Sequence, residues 1–364
     1  MASQIKDFEW SVLLEKLKSP RCECALVLGE GAFFTPEGSL LKDRYNSFLD
    51  QNLAGLFTRQ KDDDLLSMAD QNRTTFCTGV RDFYKDQVPD EFLRQIAQIP
   101  FPLIINTTPH EQIGKAFTGV ALQQRHYNRS AQQQKIDKPD AANPLIYNLV
   151  GTIEDDNTLV LTYSNLFDYF ESIFHEYRLP EELREVLRGV KYFVFLGVPF
   201  DRWYFHLFLR ILNIHAYKNA HRHAPVDARF SDDTMEFCNE QFEIKFVSGR
   251  SKVAEFATEL HRRCDTAGVL RRETENTFSV LDTIENRLKH DEIEQAILLL
   301  DAFLKEQDDD DLADDLAILS AQFRKYTKAN ANNTLDSRDA RTEYAQIVHG
   351  LNQTLKSARK LPTP

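Results

Sequence analysis

The chain has 364 residues, 42% of them hydrophobic, with 26 Phe and 12 Tyr; this is enough apolar material for a large core and excludes a disordered chain. Its formal charge of −12 argues against general binding to nucleic-acid backbones, which needs clustered Lys/Arg to release counterions. No apolar run approaches the roughly 20 residues of a membrane helix, and the N-terminus lacks a basic-then-apolar leader, so a soluble cytoplasmic protein is expected.

Residues Ile5–Leu17 place Phe8, Val12, Leu13 and Leu17 at helical spacing before Ser19-Pro20 ends the segment. An apolar strand from Cys24 then runs into Gly29-Glu30-Gly31-Ala32 and a turn at Thr35-Pro36-Glu37-Gly38. Two glycines one residue apart after a strand let the backbone approach a phosphate closely, but a tight turn without a ligand fits as well. Ser39–Leu56 and Asp62–Gln98 read as helices. Arg73, Arg81 and the run Lys61-Asp-Asp-Asp64 read as solvated faces.

The stretch Phe101–Phe117 organises the reading. Its apolar run Leu103, Ile104, Ile105 predicts a buried parallel strand whose C-terminal end delivers Asn106–Glu111 into a crevice, where open α/β sheets bind ligands. Gln123–Asn143 is polar and aperiodic, which predicts a functional loop or mobile lid, with His126 and Arg129 either facing a ligand or, as loop residues more often do, standing exposed. Pro144–Gly151 reads as a strand and Leu159–Tyr163 as another. Ser164 is placed as the N-cap of an amphipathic helix running to Tyr177. A helix over Pro180–Arg188, the strand Val190–Gly197, an aromatic helix Trp203–Leu212, a strand region in Phe237–Phe246 and a helix Val253–Leu270 complete the alternation. The fold class is therefore α/β, a Rossmann-like doubly wound and mostly parallel sheet.

From Glu273 the pattern becomes purely helical, with segments Val280–Lys305, Leu312–Lys328 and Arg338–Lys356. We assign residues 1–270 to the α/β domain and 271–364 to a small all-α domain. The block Asp308–Asp311 reads as a helix start, where carboxylates favour the dipole. The five cysteines (Cys22, Cys24, Cys77, Cys238, Cys264) lack paired ligand spacing, so structural thiols and no metal are expected.

Four stretches in this order resemble the sirtuin-like domain of bacterial anti-phage and conflict systems: the strand with Gly29-Glu30-Gly31-Ala32, Pro102–Ile105 with Thr107-Thr108, Asn143–Tyr169, and Phe193–Asp201. The resemblance spans residues 22–250 and implies a pocket that binds NAD or a related nucleotide and cleaves its nicotinamide–ribose bond. The tail, notably Leu316–Leu355, resembles an effector-associated domain, which implies recruitment of an effector or sensor protein by its helices. The family's catalytic residues are replaced here. Its Thr-Thr-Asn-Tyr-Asp is Thr107-Thr108-Pro109-His110-Glu111, so proline stands at the catalytic Asn. Its Leu-His-Gly is Leu149-Val150-Gly151, so valine stands at the general base, and its Gly-Ala-Gly is Gly29-Glu30-Gly31.

The expected pocket lining is Gly29, Gly31, Thr107, Thr108, Gly151, Gly197 and Asp201, with the glycine loop contacting phosphate. The function expected is that of a catalytically degenerate sensor or scaffold in bacterial defence. Two alternatives stay open. One is an NAD-cleaving effector whose displaced base is His110, flanked by Asn106 and Glu111; the other is a purely structural protein that forms homo-oligomers.

Overall fold

Strands that are apolar on both faces need cover on both faces, and four of them form the middle of one sheet. The computed structural model describes residues 5–60, 63–118, 120–130, 133–175, 178–226, 230–247, 253–271, 280–289, 293–306, 310–331 and 337–358. It divides into two compact units, Met1–Arg272 and Glu273–Pro364. In the first unit the strands are β1 (Cys24–Leu28), the short pair β2 (Thr58–Arg59) and β3 (Leu66–Ser67), β4 (Leu103–Asn106), β5 (Gln123–His126), β6 (Leu145–Asn148), β7 (Tyr192–Leu196), β8 (His221–Pro225) and β9 (Lys245–Val247). Apart from the antiparallel β2–β3 ribbon they form a seven-stranded sheet, order β5-β6-β4-β1-β7-β8-β9, in which every neighbouring pair is parallel. Strands β1, β4, β6 and β7 are buried throughout.

The two-residue period of a strand sorts their side chains into two layers. Leu26, Leu28, Ile104, Val194 and Leu196 face one layer. It is covered by helices α1 (Asp7–Lys18), α2 (Leu41–Asn52), α3 (Asp70–Lys85) and α4 (Glu91–Gln98), the last capped by the Asp90 carboxylate on Leu93 N–H. After the short α5 (Gln112–Lys115) come α6 (Tyr163–His175), α7 (Glu181–Gly189), α8 (Trp203–Ile211) and α9 (Asp232–Phe242), which cover Ala25, Val27, Ile105, Tyr147, Phe193 and Phe195 on the other face. Helix α10 (Val253–Thr266) returns to the first face through Phe256, Ala257 and Leu260. Chain order runs outward from β1 to β4 on one side and resumes at β7 on the other. The crevice at this switch point is where such sheets receive ligands.

Five local expectations are corrected. Gln123–His126 is not the start of a lid but the edge strand β5, and the segment behind it is packed: Tyr127 and Ile136 are buried and Arg129 donates to Leu159 O at 3.0 Å. Leu159–Tyr163 is not a strand, since only Thr162 makes a bridge, to Leu66; Thr162, not Ser164, caps α6 by accepting from Asn165 N–H. Phe237–Phe246 is mostly helix α9, started by the Ser231 hydroxyl on Thr234 N–H, with only Lys245–Val247 extended. Asp62–Gln98 contains β3 as well as α3 and α4.

The second unit consists, among the described residues, of α11 (Val280–Lys289), α12 (Ile293–Glu306), α13 (Asp310–Ala331) and α14 (Ser337–Ala358). Leu281, Ile284 and Leu288, then Ile293, Ala296, Leu300 and Leu304, then Ile347, Leu351 and Leu355 recur every three or four residues and form its buried core. Of the acidic block, Asp308 and Asp309 lie outside the described residues, and Asp310 begins α13. No described helix is long and apolar enough to cross a membrane.

Two contacts tie the first unit together at its ends. The loops after β1 and β7 meet backbone to backbone: Gly29 N–H donates to Leu196 O and Gly31 N–H to Gly197 O, both at 2.9 Å. A β-carbon on Gly29 would stand 2.4 Å from Gly197 O, and one on Gly197, whose φ is +65°, 2.1 Å from Ala32 N. At the opposite end Arg271 sends its guanidinium into the carbonyls of Ala97, Ile99, Phe101 and Ala141. Gly29→Ala is expected to destabilise the first unit by about 1–3 kcal/mol through steric overlap alone. Arg271→Ala is expected to cost about 2 kcal/mol or more by leaving those carbonyls unpaired. Urea denaturation of the full chain, read by the transition of the α/β unit, checks both; a loss below about 0.5 kcal/mol in either would contradict the contact described.

Candidate functional site

Where β1, β4 and β6 end, three loops and two helices enclose a cavity. It has a volume of about 100 Å³ and lies between Glu30 and Phe33 of the β1 loop, Leu41, Lys42 and Tyr45 of α2, Phe76, Cys77, Val80 and Tyr84 of α3, Thr108–His110 after β4, and Ile153, Leu159 and Leu161. Its wall is mostly aromatic and aliphatic, with Thr108 and His110 on one side and Glu30 and Lys42 at one end.

The turn after β4 is fixed by Asn106, which is fully buried. Its Nδ2 lies at 2.9–3.0 Å from Thr108 O, His110 O and Asn148 Oδ1, while its Oδ1 accepts from the Thr108 hydroxyl at 2.8 Å. Asn106 thus shapes the turn and offers nothing to a ligand. Thr107 is also engaged, donating both its N–H and its hydroxyl to Leu28 O at 2.8 Å, which bolts β4 to β1. Glu111 accepts from the Thr152 hydroxyl at 3.0 Å, and burial leaves its carboxyl above the usual range despite that bond.

His110 lines the cavity but is held as an apolar wall. Its ring meets Phe33 edge-on at 4.4 Å between centroids and lies 4.6 Å from Tyr84, and its Nδ1 is 3.5 Å from the Thr108 hydroxyl. Burial pulls its pKa down to about 3, so it is neutral at physiological pH. A base this weak holds a proton poorly in the middle of a reaction run near neutrality.

The roof of the cavity is the loop over residues 151–159. Gly151, at φ +84°, brings it back on itself, since a β-carbon there would stand 2.3 Å from Thr158 O. Arg81 donates to Ile153 O and to Asp156 Oδ1, at 3.1 and 2.6 Å, and Arg73 to Asn165 Oδ1, Asp156 O and Leu159 O. These two arginines were expected on solvated faces; they clamp the roof instead.

Of the other predicted lining residues, Thr108 borders the cavity, while Gly29, Gly31 and Gly197 are packed against one another beside it. The Gly29, Gly31 and Ala32 N–H groups donate to Leu196 O, Gly197 O and Gly29 O. In this arrangement the glycines let two backbones touch, and the N–H groups of Gly29, Gly31 and Ala32 are used within the protein. Asp201 sits with a carboxylate oxygen 3.8 Å from Arg202 Nε.

What the sequence reading missed is the charge at the mouth. Lys42 Nζ pairs with Glu30 and lies 2.7 Å from Asp64 Oδ2, and Arg202 Nη2 lies 2.6 Å from that same oxygen. Asp63 accepts from Trp203 Nε1 at 3.2 Å and from the Tyr163 hydroxyl. Asp63 and Asp64 are therefore paired side chains, Asp64 while still exposed, and Lys61 and Asp62 lie outside the described residues. The partners of Asp64 are 22 and 138 positions away, so no local spacing announces them. Among the described residues no group of three or more His, Cys, Asp or Glu is arranged to hold a metal ion. All five cysteines are buried, and burial pushes the thiols of Cys22, Cys238 and Cys264 up to about 12.

Comparison with known proteins places these elements. A SIR2-like domain model matches residues 111–247, from the turn after β4 through β9, and an effector-associated domain 11 model matches residues 280–358, from α11 through α14. The match to the first begins beyond Gly29–Ala32 and Thr107-Thr108. No curated protein matches the chain. The chain thus joins a SIR2-like domain, on a Rossmann-like parallel sheet, to an effector-associated domain 11.

Proposed function

We propose that the α/β unit is a catalytically degenerate nucleotide pocket and that the protein acts as a sensor or scaffold in bacterial defence, recruiting an effector or sensor partner through α11–α14. SIR2-like domains generally bind NAD, and the pairing with an effector-associated domain supports a role in a defence system. The cavity suits the planar part of such a ligand: Phe33, Tyr45, Phe76 and Tyr84 offer ring faces and edges for a base or nicotinamide. The phosphates would meet Lys42 and Arg202, not the glycine loop, whose Gly29, Gly31 and Ala32 N–H groups are engaged.

The observation that carries the reading is the state of His110. It is the imidazole of the cavity wall, yet it is wedged between Phe33 and Tyr84 and neutral far below pH 7. Pro109 stands where the resemblance places a catalytic amide, and its carbonyl is bound by Ile153 N–H at 2.9 Å. A pocket without a working base binds and reports; it does not turn over.

The test is incubation of the full-length protein with NAD, following nicotinamide release and, separately, binding by calorimetry. Binding without release is expected. His110→Ala is expected to leave the absence of release unchanged and to alter only affinity or stability. Release that disappears in His110→Ala would overturn the reading in favour of an NAD-cleaving effector, and absence of binding to NAD and ADP-ribose alike would remove the nucleotide from it.

A further inference from the structure

The mouth of the cavity is a cation pair already holding an anion. One oxygen, Asp64 Oδ2, accepts from Lys42 Nζ at 2.7 Å and from Arg202 Nη2 at 2.6 Å. A single oxygen shared by an ammonium and a guanidinium is the arrangement in which proteins hold a phosphate oxygen. The guanidinium is only partly used: Arg202 Nε is buried with no hydrogen-bond partner, and the Asp201 carboxylate lies 3.8 Å from it. That unmade bond is one a tetrahedral anion with several oxygens would supply and the single bridging oxygen of Asp64 does not.

The carboxylates come from a weakly built element. Asp64 has φ +57°, a left-handed backbone uncommon for a residue other than glycine. It lies in the connection between β2 and β3, two-residue strands paired only to each other, and so short a ribbon has little stability of its own. Its base is anchored, with Leu65 and Leu66 buried and Leu66 N–H donating to Leu161 O. Among the described residues its acidic end is held by polar contacts: Asp64 on Lys42 and Arg202, and Asp63 on Trp203 Nε1, the Tyr163 hydroxyl and, through its carbonyl, the Tyr204 hydroxyl. Polar contacts of this kind can be exchanged for others of equal charge without opening the core.

We infer that Lys42 and Arg202 form an anion subsite at the cavity mouth, that Asp63 and Asp64 close it as an internal strap, and that a phosphate-bearing ligand enters by displacing Asp64 from the two cations. The inference rests on the nucleotide-pocket reading for its ligand class, but the subsite itself is defined by the cation pair. Glu30 stays on Lys42 throughout and keeps the subsite from binding small univalent anions strongly; a pyrophosphate, with more charge and several oxygens, outcompetes a single carboxylate. Entry of the ligand frees Asp63 and Asp64 from these contacts, which makes the state of the pocket visible on the surface of the protein.

Trp203, one of two tryptophans in the chain, reports the strap because its indole N–H rests on Asp63. The full-length protein is titrated with inorganic pyrophosphate, and separately with ADP-ribose, at ionic strength matched with sodium chloride, while tryptophan emission is followed. The signal is assigned by its loss in Trp203→Phe. Pyrophosphate is expected to shift the emission, Asp64→Asn to lower the midpoint by about tenfold, which is the effect of roughly 1.4 kcal/mol, and Arg202→Met in the Asp64→Asn background to abolish the response. An unchanged or higher midpoint in Asp64→Asn, a response that survives Arg202→Met, or no response in any protein overturns the inference. The two readings separate in the parallel titration. Pyrophosphate binding enhanced by Asp64→Asn with no ADP-ribose binding keeps the subsite and removes the nucleotide. Equal ADP-ribose affinity with and without Asp64 keeps the nucleotide and removes the strap.

Discussion

The contact between the backbones of Gly29–Ala32 and Gly197 decides what the rest of the α/β unit can do. Because β1 and β7 are adjacent and parallel, their C-terminal loops emerge side by side, and glycine at both positions lets the carbonyl of Gly197 reach Gly31 N–H at 2.9 Å. A glycine-rich turn at a strand end commonly directs its N–H groups at an anion. Here those of Gly29, Gly31 and Ala32 are satisfied within the protein by Leu196 O, Gly197 O and Gly29 O. The cavity that remains is displaced toward α2 and α3 and is lined by rings.

That displacement accounts for the charge arrangement at the mouth. In a chain of net charge −12, Glu30, Asp63 and Asp64 would repel one another if left together in the crevice. Lys42 and Arg202 make the cluster possible. Burial would raise the Asp64 carboxyl, but the hydrogen bond from Lys42 and the charges of Lys42 and Arg202 outweigh it, and the group is held below the usual range. The folded-state pKa is depressed, so the stability this cluster contributes is present at neutral pH and is lost as pH falls through the lowered value. Side chains partly open to solvent weaken each pair, but the shared oxygen couples Lys42 and Arg202 so that neither is independent of the other.

The sequence carried the frame of the fold because its central strands have no polar face to hide. Leu103–Asn106 and Tyr192–Leu196 are apolar runs short enough to be strands, and both are buried throughout. The switch point and the turn after β4 followed from them. Errors fell where one signal outweighed another. The aromatic residues of Phe237–Phe246 suggested a strand, yet Ser231 and two following aspartates start a helix, and Cys238 and Phe242 share its buried face. The edge strand β5 was hidden by its composition, because Gln-Gln-Arg-His needs only one covered edge and face. The site was less legible than the fold. Arg73 and Arg81 look like solvent-facing helix residues, and what recruits them is a set of carbonyls 72–86 positions away.

The same geometry bears on how far the crevice has diverged from the family it resembles. A loss confined to side chains would leave each replaced residue facing the cavity. Pro109 does line it, but Val150 does not: it is buried with Tyr127, Tyr147 and Leu149 in the layer on the opposite face of the sheet. An imidazole at position 150 would start from that apolar layer, where desolvation lowers its basicity. Glu30 is likewise part of a chain of ion pairs reaching Arg202, so replacing it with a small residue leaves Lys42 with Asp64 alone and draws the acidic connection closer. The residues that differ from the family pattern are each built into this protein's own contacts, the proline through its carbonyl, the valine through its layer and the glutamate through its lysine.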